Sequence, residues 1–94
     1  MSDLRLEDFA GLVGERFEVR AGEDIVPIEL QAAQRVRGQS VRDGDPFTLI
    51  WLGPLEPQLP QAIYEIRRGD DLYEIFIVPI SRDEQGTLYE AVFN

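Results

Sequence analysis

Leu4, Leu6, Phe9, Leu12 and Val13 recur near helical spacing, with Glu7 and Asp8 placed for the positive end of a helix and Gly14 for a left-handed stop. This pattern predicts one short N-terminal helix. The period then drops to two: Phe17 and Val19 alternate with Arg16, Glu18 and Arg20, as in a strand with one buried face. In the next segment Val26, Ile28, Leu30, Ala32 and Val36 share one face, interrupted by Gln34. Pro27, Glu29, Gln31, Ala33, Arg35 and Arg37 share the other. A hairpin closed through Ala21-Gly22-Glu23-Asp24 sets Phe17 opposite Ile28, Val19 opposite Val26, Arg20 opposite Ile25 and Arg16 opposite Glu29. A slip of one residue would turn every core side chain outward.

The stretch 38–46 is polar and rich in Gly and Asp and reads as a surface loop before a third strand over 47–52. Prolines 54, 57 and 60 follow within the stretch 53–60, which therefore cannot join a ladder and reads as an extended crossing strap. The last third reads as a meander with strands over 62–67, 72–80 and 87–93. A loop of Arg68-Gly69-Asp70 would pair Arg67 with Asp71 and Ile66 with Leu72, whereas a shift of one would set Glu65 against Glu74. The stretch 72–80 is apolar on both faces apart from Glu74, which points to a central strand covered on both sides, with Pro79 near its end. The expected architecture is mainly β: a small antiparallel barrel or two-sheet sandwich of about six strands, with the helix plugging an open end. All of residues 1–94 belong to one domain.

Composition narrows the chemistry. Nine Arg supply all the positive charge against eighteen Asp and Glu, a net charge of −9, and the chain has no His, Cys or Lys. Thiolate and imidazole catalysis, disulfides, ordinary zinc sites, Schiff-base chemistry and a Walker lysine are thereby excluded. No cofactor or metal is expected. The acidic balance disfavours nucleic acid and anionic membranes as partners. The acidic start and the lack of a long apolar run point to a cytoplasmic chain without a membrane helix.

Several short constellations resolve into structural readings. Gly38-Gln39-Ser40-Val41-Arg42 begins like a nucleophile elbow but lacks the second glycine and any His to take the serine proton. Asp43-Gly44-Asp45 opens like a calcium loop, yet Phe47 stands where a third oxygen ligand belongs. Arg68-Gly69-Asp70 is ordinary hairpin chemistry. No spacing singles out a carboxylate pair for acid/base work, so an enzyme is not expected. Arg35, Arg37 and Arg42 make the one locally basic stretch, where an anionic group would touch. Trp51 shares parity with Phe47 and Leu49 and so points inward, its indole N–H meeting a strap carbonyl, although beside Gly53-Pro54 it also suits a contact hot spot. Tyr64, Tyr73 and Tyr89 read as sheet-face residues whose hydroxyls reach the rim.

Gly53-Pro54, Leu59-Pro60-Gln61, Ile75-Phe76-Ile77-Val78-Pro79 and the ending Tyr89-Glu90-Ala91-Val92-Phe93-Asn94 stand beside Leu6-Glu7-Asp8-Phe9 and Val13-Gly14 near the start. Together they resemble a family of small bacterial domains of unknown function, DUF6916, over nearly the whole chain. The resemblance implies no catalytic residues, and at most an accessory structural role beside phage-derived, tail-fibre-like proteins. The reading that follows is a non-enzymatic interaction or assembly module that docks on another protein, or on itself, through a sheet edge or the strap, with Trp51, Leu55, Leu59 and Arg37 as contacts. The alternative is a small-molecule binder at the barrel mouth, lined by Gln34, Trp51 and Tyr64.

Overall fold

In a computed structural model, which describes residues 4–36 and 46–93, the elements are α1 (Leu6–Ala10), β1 (Arg16–Ala21), β2 (Asp24–Arg35), β3 (Phe47–Gly53), β4 (Ala62–Arg68), β5 (Asp71–Asp83) and β6 (Gly86–Phe93). The six strands of these described residues form a closed antiparallel barrel in the order β1-β2-β3-β6-β5-β4, with β4 returning to β1. Closure leaves one interior. Into it point Phe17, Val19, Val26, Ile28, Leu30, Leu49, Trp51, Ile66, Ile75, Ile77 and Tyr89, each at most 2% exposed. Burying one such side chain stabilises by about 1.5–3 kcal/mol.

The first hairpin follows its sequence pattern. Phe17 faces Ile28, Val19 faces Val26 and Arg16 faces Glu29, around a turn whose Gly22 takes the left-handed φ of +65° that a Gly-first two-residue hairpin loop requires. Further along β2 the pattern breaks, because the register with β3 shifts between Leu30 and Ala32. This irregularity inserts one residue and inverts the parity beyond it. Ala33 therefore sits opposite Leu49 and packs on the core, while Gln34 turns outward. The expectation that Gln34 shares the inner face is thus corrected.

The β4–β5 hairpin also departs from expectation. Its loop is the two-residue Gly69-Asp70, so Arg68 pairs with Asp71, Arg67 with Leu72, and Glu65 directly with Glu74. The other register would have turned Leu72 and Glu74 inward in place of Tyr73 and Ile75. Burying Glu74 costs far more than an exposed like-charge pair, which is a fraction of a kcal/mol. The same choice makes β5 a wall strand covered on one side only: Ile75 and Ile77 are buried, whereas Leu72 and Phe76 are about half exposed. Pro79 lies within β5, at a register shift between Pro79 and Ser81 where a missing amide hydrogen is tolerated.

Both barrel mouths are closed. Helix α1 is shorter than expected, ending at Ala10 rather than at Gly14, and its first turn is held by the Asp8 carboxylate accepting from the Arg5 backbone N–H at 2.8 Å. It delivers Phe9, fully buried, against Phe47, Trp51 and Tyr73, with ring centroids 6.4, 6.4 and 5.2 Å apart. At the other mouth the ring order decides the path of the chain. β3 and β4 stand on opposite sides of a six-strand ring, so their connection, residues 54–61, must cross the opening. It inserts Leu59, 3% exposed, and the Leu59 backbone N–H donates to the buried Tyr89 hydroxyl at 2.9 Å. Tyr89 therefore does not reach the rim. The strap is tied further by Tyr64 donating to the Pro60 carbonyl at 2.6 Å, and by Arg82 donating to the Leu55 carbonyl at 3.2 Å and to Glu56 at 2.6 Å. Beneath it the chain passes close at Gly86, with φ of +145°, where a Cβ would run into the Gly53 carbonyl oxygen.

Candidate interaction site on the barrel wall

A wall strand of a small barrel shows alternate residues to solvent, so a strand apolar on both faces leaves apolar groups outside. On β5 the outward residues include Phe76 and Val78, and the cross-strand partner of Phe76 on β4 is Ile63. On the other side Val78 pairs with Glu90, where the β5–β6 ladder begins, and Val92 lies two residues beyond Glu90 on the same face of β6. Val92 in turn pairs with Thr48, Glu90 with Ile50 and Leu88 with Leu52 on β3. Ile63, Phe76 and Val92 are 66%, 49% and 53% exposed; Ile63 and Phe76 are directly opposed, and Val92 stands on the outer face of the next strand, β6. Val78, Ile50, Leu52 and Leu88 extend the apolar surface, half-buried.

Three carboxylates surround Phe76. Glu74 lies two residues before it on the same strand and face, and Glu65 and Glu90 occupy diagonal positions on the neighbouring strands. Glu65 and Glu74 are directly opposed. Among the described residues no Arg side chain comes within ion-pairing distance of any of the three; the short pairs are Arg68–Glu15 at 2.9 Å and Arg82–Glu56 at 2.6 Å, both elsewhere. The opposite flank differs. There Arg16, Glu18 and Arg20 on β1 alternate in charge. Glu18 pairs with Arg67 and Arg20 with Glu65 across the β1–β4 seam, flooring a shallow groove walled by Ile25 and Leu72.

The residues singled out from the sequence scatter. Trp51 is fully buried, edge-on to Phe17 at 4.8 Å and 85°, and so cannot contact a partner. Its indole nitrogen makes no hydrogen bond among the described residues, so the expected bond to the strap is absent; the strap meets the core through Leu59 and Tyr89 instead. Leu59 is a core plug, again closed to a partner. Leu55 is 40% exposed on the strap and remains available. Arg37 lies outside the described residues, as do Arg42, the Gly38–Arg42 segment and Asp43-Gly44-Asp45. Gln34, Trp51 and Tyr64 do not converge: Gln34 is on the outer face opposite Thr48, Trp51 is central, and Tyr64 is under the strap. Arg68 of the Arg-Gly-Asp turn is drawn back onto Glu15, away from the hairpin tip.

Burial raises the Tyr64 phenol above its ordinary 10.0, with Tyr89 adding to the rise. Burial also raises Tyr73, helped by Asp71 and Asp8 and opposed by Arg68. Both effects keep hydroxyls neutral and prepare no base or nucleophile. Among the described residues no group of His, Cys, Asp or Glu is arranged to hold a metal ion, and no helix is long and apolar enough to cross a membrane.

With the geometry in place, comparison with known proteins gives one result: residues 4–93 match the model of a domain of unknown function, DUF6916. The chain belongs to that family. No curated protein and no solved structure matches it. The sequence did not mark the wall residues Ile63, Phe76, Val92, Glu65, Glu74 and Glu90 of this DUF6916 domain as contact residues. Their signal was the two-faced apolar run over 72–80, which in a barrel of this size means an exposed face rather than a doubly covered strand.

Proposed function

We propose that this DUF6916 domain is a non-enzymatic protein-interaction module that docks through the outer wall of β4, β5 and β6. The observation that carries this reading is the exposed, directly opposed pair Ile63 and Phe76, with Val92 exposed on the neighbouring strand, on a barrel whose inward positions are occupied by side chains and whose two mouths are plugged. Large apolar side chains held together in solvent lose favourable burial that a partner surface restores, and such patches mark contact sites. Docking by strand addition loses its support, since a closed ring offers no full-length edge among the described residues. Fit against the wall takes its place.

The test is site-specific photocrosslinking in cells that naturally encode the chain. A crosslinker at position 63 should trap one adduct of defined mass, and the same group at position 18, on the charged flank, should not. Equal or absent adducts at both positions would remove the reading.

A further inference from the structure

We infer that the partner of this wall presents an apolar surface flanked by arginine or lysine side chains, an inference that rests on the wall being the docking site. Around Phe76 the charges are acidic. Glu65, Glu74 and Glu90 surround it and none of them makes a close ion pair among the described residues, although Arg20 faces Glu65 from β1 on the far side of β4. Interfaces place apolar anchors at the centre and charged groups at the rim, where complementary charge sets partner choice and approach. An ordinary interface covers roughly 800 Å² per partner, about an eighth of the 6206 Å² surface of this chain, so covering the apolar row necessarily reaches the three carboxylates.

A second copy is the wrong occupant on charge. Its matching wall would bring Glu90 and the opposed Glu65 and Glu74 against their own kind, between molecules that each carry −9. Like charges so juxtaposed are a strong negative selection. The β4–β5 register that buries Tyr73 and Ile75 also sets Phe76 opposite Ile63 and places Glu65 and Glu74 beside it.

The experiment uses the full chain and two synthetic amphipathic helical peptides with one leucine face, flanked by arginine in one and by glutamate in the other. Binding is followed by fluorescence anisotropy at physiological salt. The arginine peptide should bind roughly tenfold or more tightly than the glutamate peptide. Glu90→Gln should weaken it several-fold, whereas Glu29→Gln, the same charge change on β2 across the barrel, should leave it unchanged. Phe76→Asp, with its fold checked by circular dichroism, should abolish binding. Equal weakening by Glu90→Gln and Glu29→Gln would reduce the effect to net charge and overturn the inference. So would equal binding of the two peptides, which would leave the wall as a docking site but remove its basic partner. Failure of both peptides also overturns it, and the crosslinking experiment then decides separately whether the wall docks anything. Sedimentation showing a dimer that Ile63→Asp dissolves would assign the wall to a second copy instead.

Discussion

The two mouths of the barrel are closed by different physics. At the helix mouth Phe9 is wedged among Phe47, Trp51 and Tyr73, and Phe47 stacks on Phe93 at 4.5 Å and 10°. At the strap mouth a single aliphatic plug, Leu59, donates its backbone N–H to Tyr89, and the strap around it accepts at the Pro60 carbonyl from Tyr64 and at the Leu55 carbonyl from Arg82. A five-residue helix has little stability of its own, so its aromatic side chain must hold it down. A strap with three prolines has few amides to offer; that of Leu59 is placed on the Tyr89 hydroxyl, and the strap's carbonyls supply the other ties. One closure depends on area and the other on direction.

Substitutions at the plugs should therefore separate the two. Phe9→Ala should cost about 3–5 kcal/mol and Leu59→Ala about 2–5 kcal/mol, both as core truncations, with Phe9 the larger because it contacts more rings. Urea unfolding of both variants checks this, and a cheaper loss at Phe9 would reverse the contrast. Next in size is Tyr89→Phe, which keeps the ring but leaves the Leu59 N–H buried without an acceptor. It should cost about 1–3 kcal/mol, and a neutral outcome would mean that the strap is held by packing alone.

Alkaline pH probes each mouth through one tyrosine, Tyr73 at the helix and Tyr64 at the strap. Both phenols are raised above 10.0 in the folded chain, chiefly by burial. The unfolded chain ionises first as pH rises, so stability is full below pH 10 and falls as pH climbs through the higher folded values. Tyr64→Phe and Tyr73→Phe should each flatten that fall in a stability-against-pH series, and an unchanged slope in either would exclude that mouth as its origin. The smallest effect belongs to Arg82→Ala. Its contacts to Glu56 and Leu55 are solvent-exposed, so the loss should be at most about 1 kcal/mol and should shrink further in salt. A larger loss would show that the strap needs its outer tie as much as its plug.

What could be read from the chain divides along the same lines. The first hairpin was legible in full, because Phe17, Val19, Val26 and Ile28 alternate cleanly and Gly22 supplies the turn. The strap and the plugging helix were legible as elements. The second hairpin was misjudged from the charges at Glu65 and Glu74, since the burial of Tyr73 and Ile75 outweighs a solvent-screened repulsion. Gln34 was misplaced because an inserted residue in a ladder leaves no reliable trace in a period-two pattern. The candidate site escaped for a related reason: Ile63, Phe76 and Val92 are hydrophobic residues on three separate segments, and nothing local distinguishes an outward one from an inward one.

Taken alone, the sequence determined the strand segments, the Gly-led hairpin, the absence of thiol, imidazole and amine chemistry, and the acidic charge. Each of these depends on composition or on neighbours a few residues apart. Tertiary structure alone decided that the ring closes, that Leu59 plugs its mouth against Tyr89, that Gln34 turns outward, and that Phe76 stands among three carboxylates outside. Those outcomes depend on which strands meet at long range, and the competition between burying one face and exposing the other is settled only when the whole barrel is assembled.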